Sequence, residues 1–235
     1  MAATILRLLS AGSIRRGVTG IIGMFESSGA GRVDADFTSA PKVKARVLAG
    51  EQADVIIASA SALDALEENS RIDPASRAVV GRTGMAIAVR KGTVMPDLSG
   101  KAAFRQAMLE SDLVIYNQGS SGIHAASLID RLDLRQALGS RIRIAQNGAE
   151  MFGLITSAPG RIVGLANITN ILDQIAKGAP VELGALLPGE IQNVTTYEVA
   201  VANGAENPAL AKIFVRMFAS TEGKKQLAIA GVKQD

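Results

Sequence analysis

A chain of 235 residues that is 48% apolar and 20% charged can bury a proper core, as one large domain or as two lobes of roughly 100 residues each. Its formal charge of +3 comes from scattered Lys and Arg rather than a basic stripe, and six Phe, two Tyr and no Trp supply few stacking faces; this favours small anions over nucleic acid or sugar as partners. With no cysteine, disulfides, thiolate chemistry and Cys-rich metal centres are excluded; with a single histidine a His-based zinc site is not expected, and neither a metal nor a cofactor is expected.

The opening stretch MAATILRLLSAGS lacks a basic leader segment, and Arg7 interrupts its apolar run, so it does not read as a secretory signal. The expectation is periplasmic if a leader has been removed and cytoplasmic if Met1 is the natural start. No apolar run approaches the ~18 residues of a membrane span. Ile5 to Ser10 reads as a first strand ending in Ala11, Gly12 and Ser13. A helix follows from Ile14 to Phe25, with Val18, Ile21 and Ile22 at helical spacing. Arg15 and Arg16 fall in its first turn, where the helix dipole disfavours cations. They are either a solvated pair or a pair of which one faces an anion. After the turn SSGAGR, Val33 to Phe37 is a second strand. Thr38, Ser39, Ala40 and Pro41 open a helix that runs to Ala49, with Pro41 at its first position, Lys42 next, and Gly50 closing it. Asp54 to Ala58 is a short, continuously apolar strand of the buried parallel type. Ser59 and Ser61 then introduce a helical segment to Leu66. This β-α-β-α-β-α order predicts a parallel, doubly wound sheet.

Ala78 to Val89 is a long apolar stretch with two glycines and no helix signature after it, as expected of a strand that leaves one lobe for another. Phe104 to Leu109 is a helix. The stretch DLVIYNQGSSGIHAA then reads as a strand (Leu113 to Tyr116), a polar loop (Gly119 to Gly122) and a helix from Ile123 to Leu132. The first turn of such a helix presents unpartnered N–H groups and the positive end of the dipole, which suits an anion. Taken alone, Ser120 or Ser121 is more simply read as an ordinary N-cap, since such caps are very common, and His124, the one histidine, as a packed or surface residue. Arg141 to Ala145 is a strand ending in Gln146, Asn147 and Gly148, with a helix through Met151 to Ile155. Ile162 to Ala166 is another, ending in Asn167, Ile168 and Thr169, with a helix to Ala176. Val194 to Ala202 alternates like a returning strand, Pro208 to Phe218 is amphipathic, and Gly223 to Ala230 is a last helix ended by Gly231. The junction residues Ser13, Ser39, Ser121, Asn147 and Thr169 thus recur at strand-to-helix turns. Ligands of open α/β sheets bind outside the carboxyl ends of the strands, and if the two lobes face each other these turns line one cleft.

Three stretches carry a family resemblance: LLSAGS; VKARVLAGEQADVIIAS (Val43 to Ser59); and YEVAVANGAENPALAKIFVRMFASTEGKKQLAIAGV (Tyr197 to Val232). With the order of elements, they make the chain similar to the type II periplasmic solute-binding fold, most of all to the molybdate-binding-protein-like family. The resemblance implies an α/β protein of two lobes, 1–82 plus 196–235 and 83–195. Each lobe would be a mostly parallel sheet with helices on both faces, joined by two crossing strands that act as a hinge. Ser13 falls where the family has a ligand-contacting serine, and Thr38-Ser39-Ala40 matches its second serine loop loosely. Gly122-Ile123-His124-Ala125 stands where molybdate binders carry a Gly-Arg-Tyr-Ala-like turn, and Ala166-Asn167-Ile168-Thr169 where they have a tyrosine-containing turn. These departures, with Arg15, Arg16, Lys42 and His124 in reach, suit a carboxylate better than molybdate.

The expected function is therefore a solute-binding protein for a small oxyanion or carboxylate, for ABC-type uptake or sensing, with an ABC permease as partner if the protein is exported. The expected ligand contacts are Ser13, Arg15, Thr38, Ser39, Lys42 and Ser59 in the first lobe. In the second they are Gln118, Ser120, Ser121, Gly122, Asn147, Gly148, Asn167 and Thr169. The alternative is an isomerase that shifts a proton on a polycarboxylate, since aconitate isomerase is similar to this family; His124 would then be the catalytic base. No G-x-S-x-G elbow and no GxxxxGK[ST] loop is present, which sets aside a serine hydrolase and a P-loop enzyme.

Overall fold

The computed structural model describes Thr4–Gln234. In chain order its elements are β1 (Ile5–Ala11), α1 (Arg15–Ser27), β2 (Arg32–Thr38), α2 (Ala40–Leu48), β3 (Val55–Ser59), α3 (Ala60–Glu68), β4 (Ala78–Thr83), β5 (Met85–Arg90), α4 (Lys101–Leu109), β6 (Leu113–Asn117), α5 (Ser120–Arg131), α6 (Leu134–Leu138), β7 (Ile142–Ala145), α7 (Gly148–Ser157), β8 (Ile162–Asn167), α8 (Ile168–Ala176), β9 (Val181–Leu186), β10 (Thr195–Val201), α9 (Pro208–Met217) and α10 (Thr221–Ile229). Two compact units result, Met1–Thr83 with Thr195–Asp235, and Gly84–Val194.

The first unit holds a five-stranded sheet in the order β2-β1-β3-β10-β4. β1 runs parallel to β2 and β3, and β10 runs against both β3 and β4. Alternation decides which face each strand residue serves. Leu8, Val55, Ile57, Val199 and Val201 pack under α1, α9 and α10, while Leu9, Ile56, Ala58 and Ala200 pack under α2 and α3. β3 is covered on both faces, which is why its sequence is apolar without interruption. α1 turns Ile21 and Phe25 into the first of these cores at helical spacing. Phe25 meets Phe214 edge-on at 5.2 Å between ring centroids, and Phe214 meets Phe218 at 5.5 Å. Each such pair contributes about 0.5–1.5 kcal/mol beyond the area it buries.

The second unit repeats the plan in the order β7-β6-β8-β5-β9. β6 is parallel to β7 and β8, and β5 opposes β8 and β9. Val114, Tyr116, Val163 and Leu165 face α4, α5 and α6; Ile115, Ile162 and Ala166 face α7 and α8. In each sheet four strands share one sense and one opposes them.

Several boundaries differ from the sequence-based expectation. The apolar run 78–89 is two strands, interrupted at Gly84 and assigned to different sheets. α5 begins at Ser120, not Ile123, and its N-cap is Gly119, which offers no side chain; neither Ser120 nor Ser121 is a cap. The Asn117 side chain explains this early start. Its Oδ1 accepts from Gly119 N at 2.8 Å, closing an Asx turn that lets the helix begin at once. Local propensity argues for a loop there, and this hydrogen-bonded turn overrides it. Likewise α7 begins at Gly148, and α2 begins at Ala40, which puts Pro41 second. α6 and β9 have no counterpart among the expected elements. α6 is five residues long, too short for a period, and β9 (VELGAL) buries only Val181 fully.

Candidate functional site

In the first unit the register aligns Ala11 with Thr38 and Ser10 with Ile57. The carboxyl ends of β2, β1 and β3 are therefore adjacent, and they bring Ser13, Thr38, Ser39 and Ser59 to one edge, with strands ~4.8 Å apart. Ser13 sits in the 3-10 turn Gly12–Ile14, not at a cap. Ser39 and Ser59 occupy the N-cap positions of α2 and α3, yet neither side chain makes a capping bond; Ser59 Oγ instead lies 3.4 Å from Ser61 Oγ. Gly12 lies beside the end of β2, where a Cβ would stand 3.4 Å from Thr38 O, an ordinary contact. Arg15 is exposed and its guanidinium carbon lies 4.6 Å from the Phe37 ring centroid, a cation–π contact at the end of β2. Lys42 is exposed in the first turn of α2.

In the second unit β7, β6 and β8 are neighbours, with Asn117 opposite Ala145. This edge carries Gln118, Ser120, Ser121 and Gly122 from one turn, Asn147 and Gly148 from the next, and Asn167 and Thr169 from the third. Gln118 is exposed and Ser121 is buried. Gly122 presses on the strand end: a Cβ there would stand 2.6 Å from the Asn117 carbonyl carbon, and closer still to its oxygen. Asn147 is used up as a cap, since its Oδ1 accepts from Glu150 N at 3.0 Å and Glu150 Oε2 accepts from Gln146 N at 2.8 Å. That reciprocal pair satisfies the start of α7 from within. The start of α8 differs. Asn167 is 1% exposed and neither its Oδ1 nor its Nδ2 has a partner; Thr169 is 2% exposed and its Oγ1 has none. His124 is half-buried on α5, its Nε2 3.1 Å from the Ile191 carbonyl oxygen. A carbonyl can only accept, so Nε2 carries the hydrogen and Nδ1 is the nitrogen left to accept a proton.

One electrostatic feature is shared by both edges. The helices that follow β1, β2, β3, β6 and β8 have no acidic residue in the first turn and no side-chain cap. Acids are favoured at such positions because they offset the positive end of the dipole. Here five helix starts keep it uncompensated. The carboxylates held below their ordinary range lie elsewhere: Glu51 beside Arg46, Asp73 beside Lys212, Glu110 beside Gln106 and Arg161, Asp130 beside Arg135. Among the described residues there is no group of three or more His, Cys, Asp or Glu side chains placed to hold a metal ion, and no helix is long and apolar enough to cross a membrane.

Two residues absent from the expected set shape the second edge. Asn117 is signalled in the sequence by Asn-x-Gly, an Asx-turn pattern. Gln192 has no local signal: its carboxamide accepts from Met85 N at 2.6 Å and donates to Met85 O and Leu187 O at 3.0 Å each, bracing β5 against the segment after β9.

An aconitate isomerase from Pseudomonas sp is 26% identical over 98% of this chain and 88% of its own length. The periplasmic molybdate-binding protein of Azotobacter vinelandii superposes with a TM-score of 0.78 at 15% identity, covering 98% of this chain and 99% of that one. The sulfate-binding protein SubI of Mycobacterium tuberculosis H37Rv gives 0.74 at 14% identity, covering 97% and 86%. At such identities the structural likeness establishes the fold: a periplasmic-binding-protein-like α/β architecture of molybdate-binder type. The family model described as bacterial extracellular solute-binding protein matches residues 6–233, and the chain belongs to that family of solute-binding proteins.

Proposed function

We propose that this solute-binding protein takes a small anion, an oxyanion or a small carboxylate, at the polar carboxyl edges of its sheets, for uptake through an ABC permease or for sensing. The observation that carries this reading is the set of five helix starts without an acidic residue or a side-chain cap. Each presents backbone N–H groups and dipole charge that a negative guest would complete. Ser13, Thr38, Ser39 and Ser59 in the first unit, and Ser120, Ser121, Gly122, Asn167 and Thr169 in the second, are the proposed contacts. Arg15 and Lys42 contribute charge at the rim; Gln118 flanks the second edge, and Asn147 and Gly148 shape its remaining turn. Isothermal calorimetry against molybdate, tungstate, sulfate, citrate and the aconitate isomers tests the reading. Saturable binding of at least one anion at micromolar Kd supports it, and silence with all of them overturns it.

A second reading is favoured by the 26% identity to an aconitate isomerase across nearly the whole chain. His124, with Nδ1 as its accepting nitrogen, would move the proton on a polycarboxylate. Incubation with cis- and trans-aconitate in deuterated water, followed by NMR, tests it. Interconversion or deuterium uptake that is lost in His124→Gln supports catalysis; neither signal at high protein concentration ends it.

A further inference from the structure

Asn167 ends β8 on the face it shares with Val163 and Leu165, and it stands at the start of the nine-residue helix α8. It is 1% exposed, and both polar atoms of its carboxamide are unpartnered; two residues on, Thr169 is 2% exposed with its hydroxyl unpartnered. Native proteins seldom leave such groups unsatisfied, because burial without a hydrogen bond is costly. The comparison within the same unit is Gln192, whose carboxamide is saturated on both atoms. Asn167 is therefore not a brace like Gln192. Its unmet bonds describe what is missing.

We propose that the guest of the second unit is a hydroxyl-bearing carboxylate rather than a purely accepting anion; this deepens the anion-binding reading above and rests on it. The argument is one of donor and acceptor balance. Asn167 offers two N–H donors and one acceptor oxygen, and Thr169 one O–H donor with acceptor lone pairs. An ionised oxyanion or a plain carboxylate brings acceptors only. It satisfies Asn167 Nδ2 and Thr169 Oγ1 but leaves Asn167 Oδ1 buried and unpaired. A ligand that also carries a hydroxyl supplies the donor that Oδ1 lacks, while its carboxylate meets the N–H groups at the α5 and α8 starts. Sites built around a substrate hydroxyl discriminate strongly against analogues without one, since the orphaned protein group then counts against binding.

Matched pairs isolate that hydroxyl. Calorimetry compares citrate with tricarballylate and malate with succinate, with molybdate, sulfate and both aconitates as donor-free anions. The expected result is that at least one hydroxy acid binds about tenfold or more tightly than its hydroxyl-free twin. Asn167→Leu then brings the twins to equal affinity, whereas Thr169→Val, which removes a donor that either twin satisfies, weakens both alike and leaves the preference in place. Asn167→Leu also raises the melting temperature of the unliganded protein, because an unsatisfied buried polar group is replaced by an apolar one. Twins that bind equally to the unaltered protein, or molybdate, sulfate or an aconitate binding more tightly than any hydroxy acid, overturn this inference while leaving the anion site standing. Equal weakening of every anion by Asn167→Leu also overturns it. Should the variants fail to fold, the twin comparison on the unaltered protein decides. Absence of binding by every anion overturns the site and this inference together.

Discussion

Gly122→Ala is the most direct perturbation of the second unit's edge. A Cβ at this position would lie 2.6 Å from the Asn117 carbonyl carbon and closer still to its oxygen, against an ordinary separation of about 3.5 Å, so the start of α5 must retreat from β6 by more than about 1 Å. The obstacle is backbone, which cannot rotate aside as a side-chain tip would. Overpacking typically costs 1–3 kcal/mol, and backbone against backbone belongs at the upper end, so we expect about 3 kcal/mol. For a cooperative unit of this size that corresponds to a fall in melting temperature of about 10 °C. The same retreat moves Ser120, Ser121 and the free amides of the α5 first turn, so anion affinity falls at least tenfold even under conditions where the variant is folded. Circular dichroism melts and calorimetry with whichever anion binds the unaltered protein check both parts. A melting temperature within 2 °C of the unaltered protein, together with unchanged affinity, would refute the packing argument.

Gly23→Ala lies inside α1 where a Cβ meets nothing within 4 Å, so it should stabilise by about 0.5–1 kcal/mol in urea unfolding; a loss would show that the helix needs glycine there. Asp54 is 1% exposed, and its two oxygens accept from Arg7 N and Glu206 N at 2.7 Å each, so it ties β1 to the segment before α9. Asp54→Asn turns an N–H toward one of those donors and should cost about 3 kcal/mol, read from the shift in urea midpoint; a cost under 1 kcal/mol would mean that this tie is idle. Glu51, Asp73, Glu110 and Asp130 titrate below their ordinary values of 4.5 or 3.8 when folded. A depressed folded-state value gives stability that is present above the ordinary value and lost as pH falls through the folded one. Melting temperature should thus hold from pH 7 to about 5 and decline below about 4, more shallowly in 0.5 M salt because these pairs are exposed and screened. A rise on acidification would contradict the assignment.

Much of the fold is legible in the sequence because burial on both faces of a strand leaves no polar positions. β3 and β8 read at once for that reason, and α1 reads from its spaced Ile and Phe residues. What escapes is decided at a distance. β9 is a partly exposed strand whose Glu182 and Gly184 erase any alternation, and α6 is a single short turn and a half. The early start of α5 depends on one Asn117 hydrogen bond and on Gly122 fitting against a strand end, neither of which has a propensity signature. At the candidate site, the small polar residues are visible as a recurring punctuation. That Asn147 is consumed as a cap while Asn167 is left wanting cannot be read locally, since both are Asn at the end of a strand. The difference lies in Glu150, present in one helix and without an equivalent in the other.

The uncompensated helix starts also bear on how long the molecule lasts. A protein whose polar edges are completed only by its cargo is least stable when empty, and occupancy adds RT ln(1 + [L]/Kd) to its stability. That is about 2.7 kcal/mol when the solute stands a hundredfold above Kd. Where resistance to proteolysis follows the population of opened states, the proposed anion site predicts that the amount of this protein rises and falls with the supply of its solute, without any change in its synthesis.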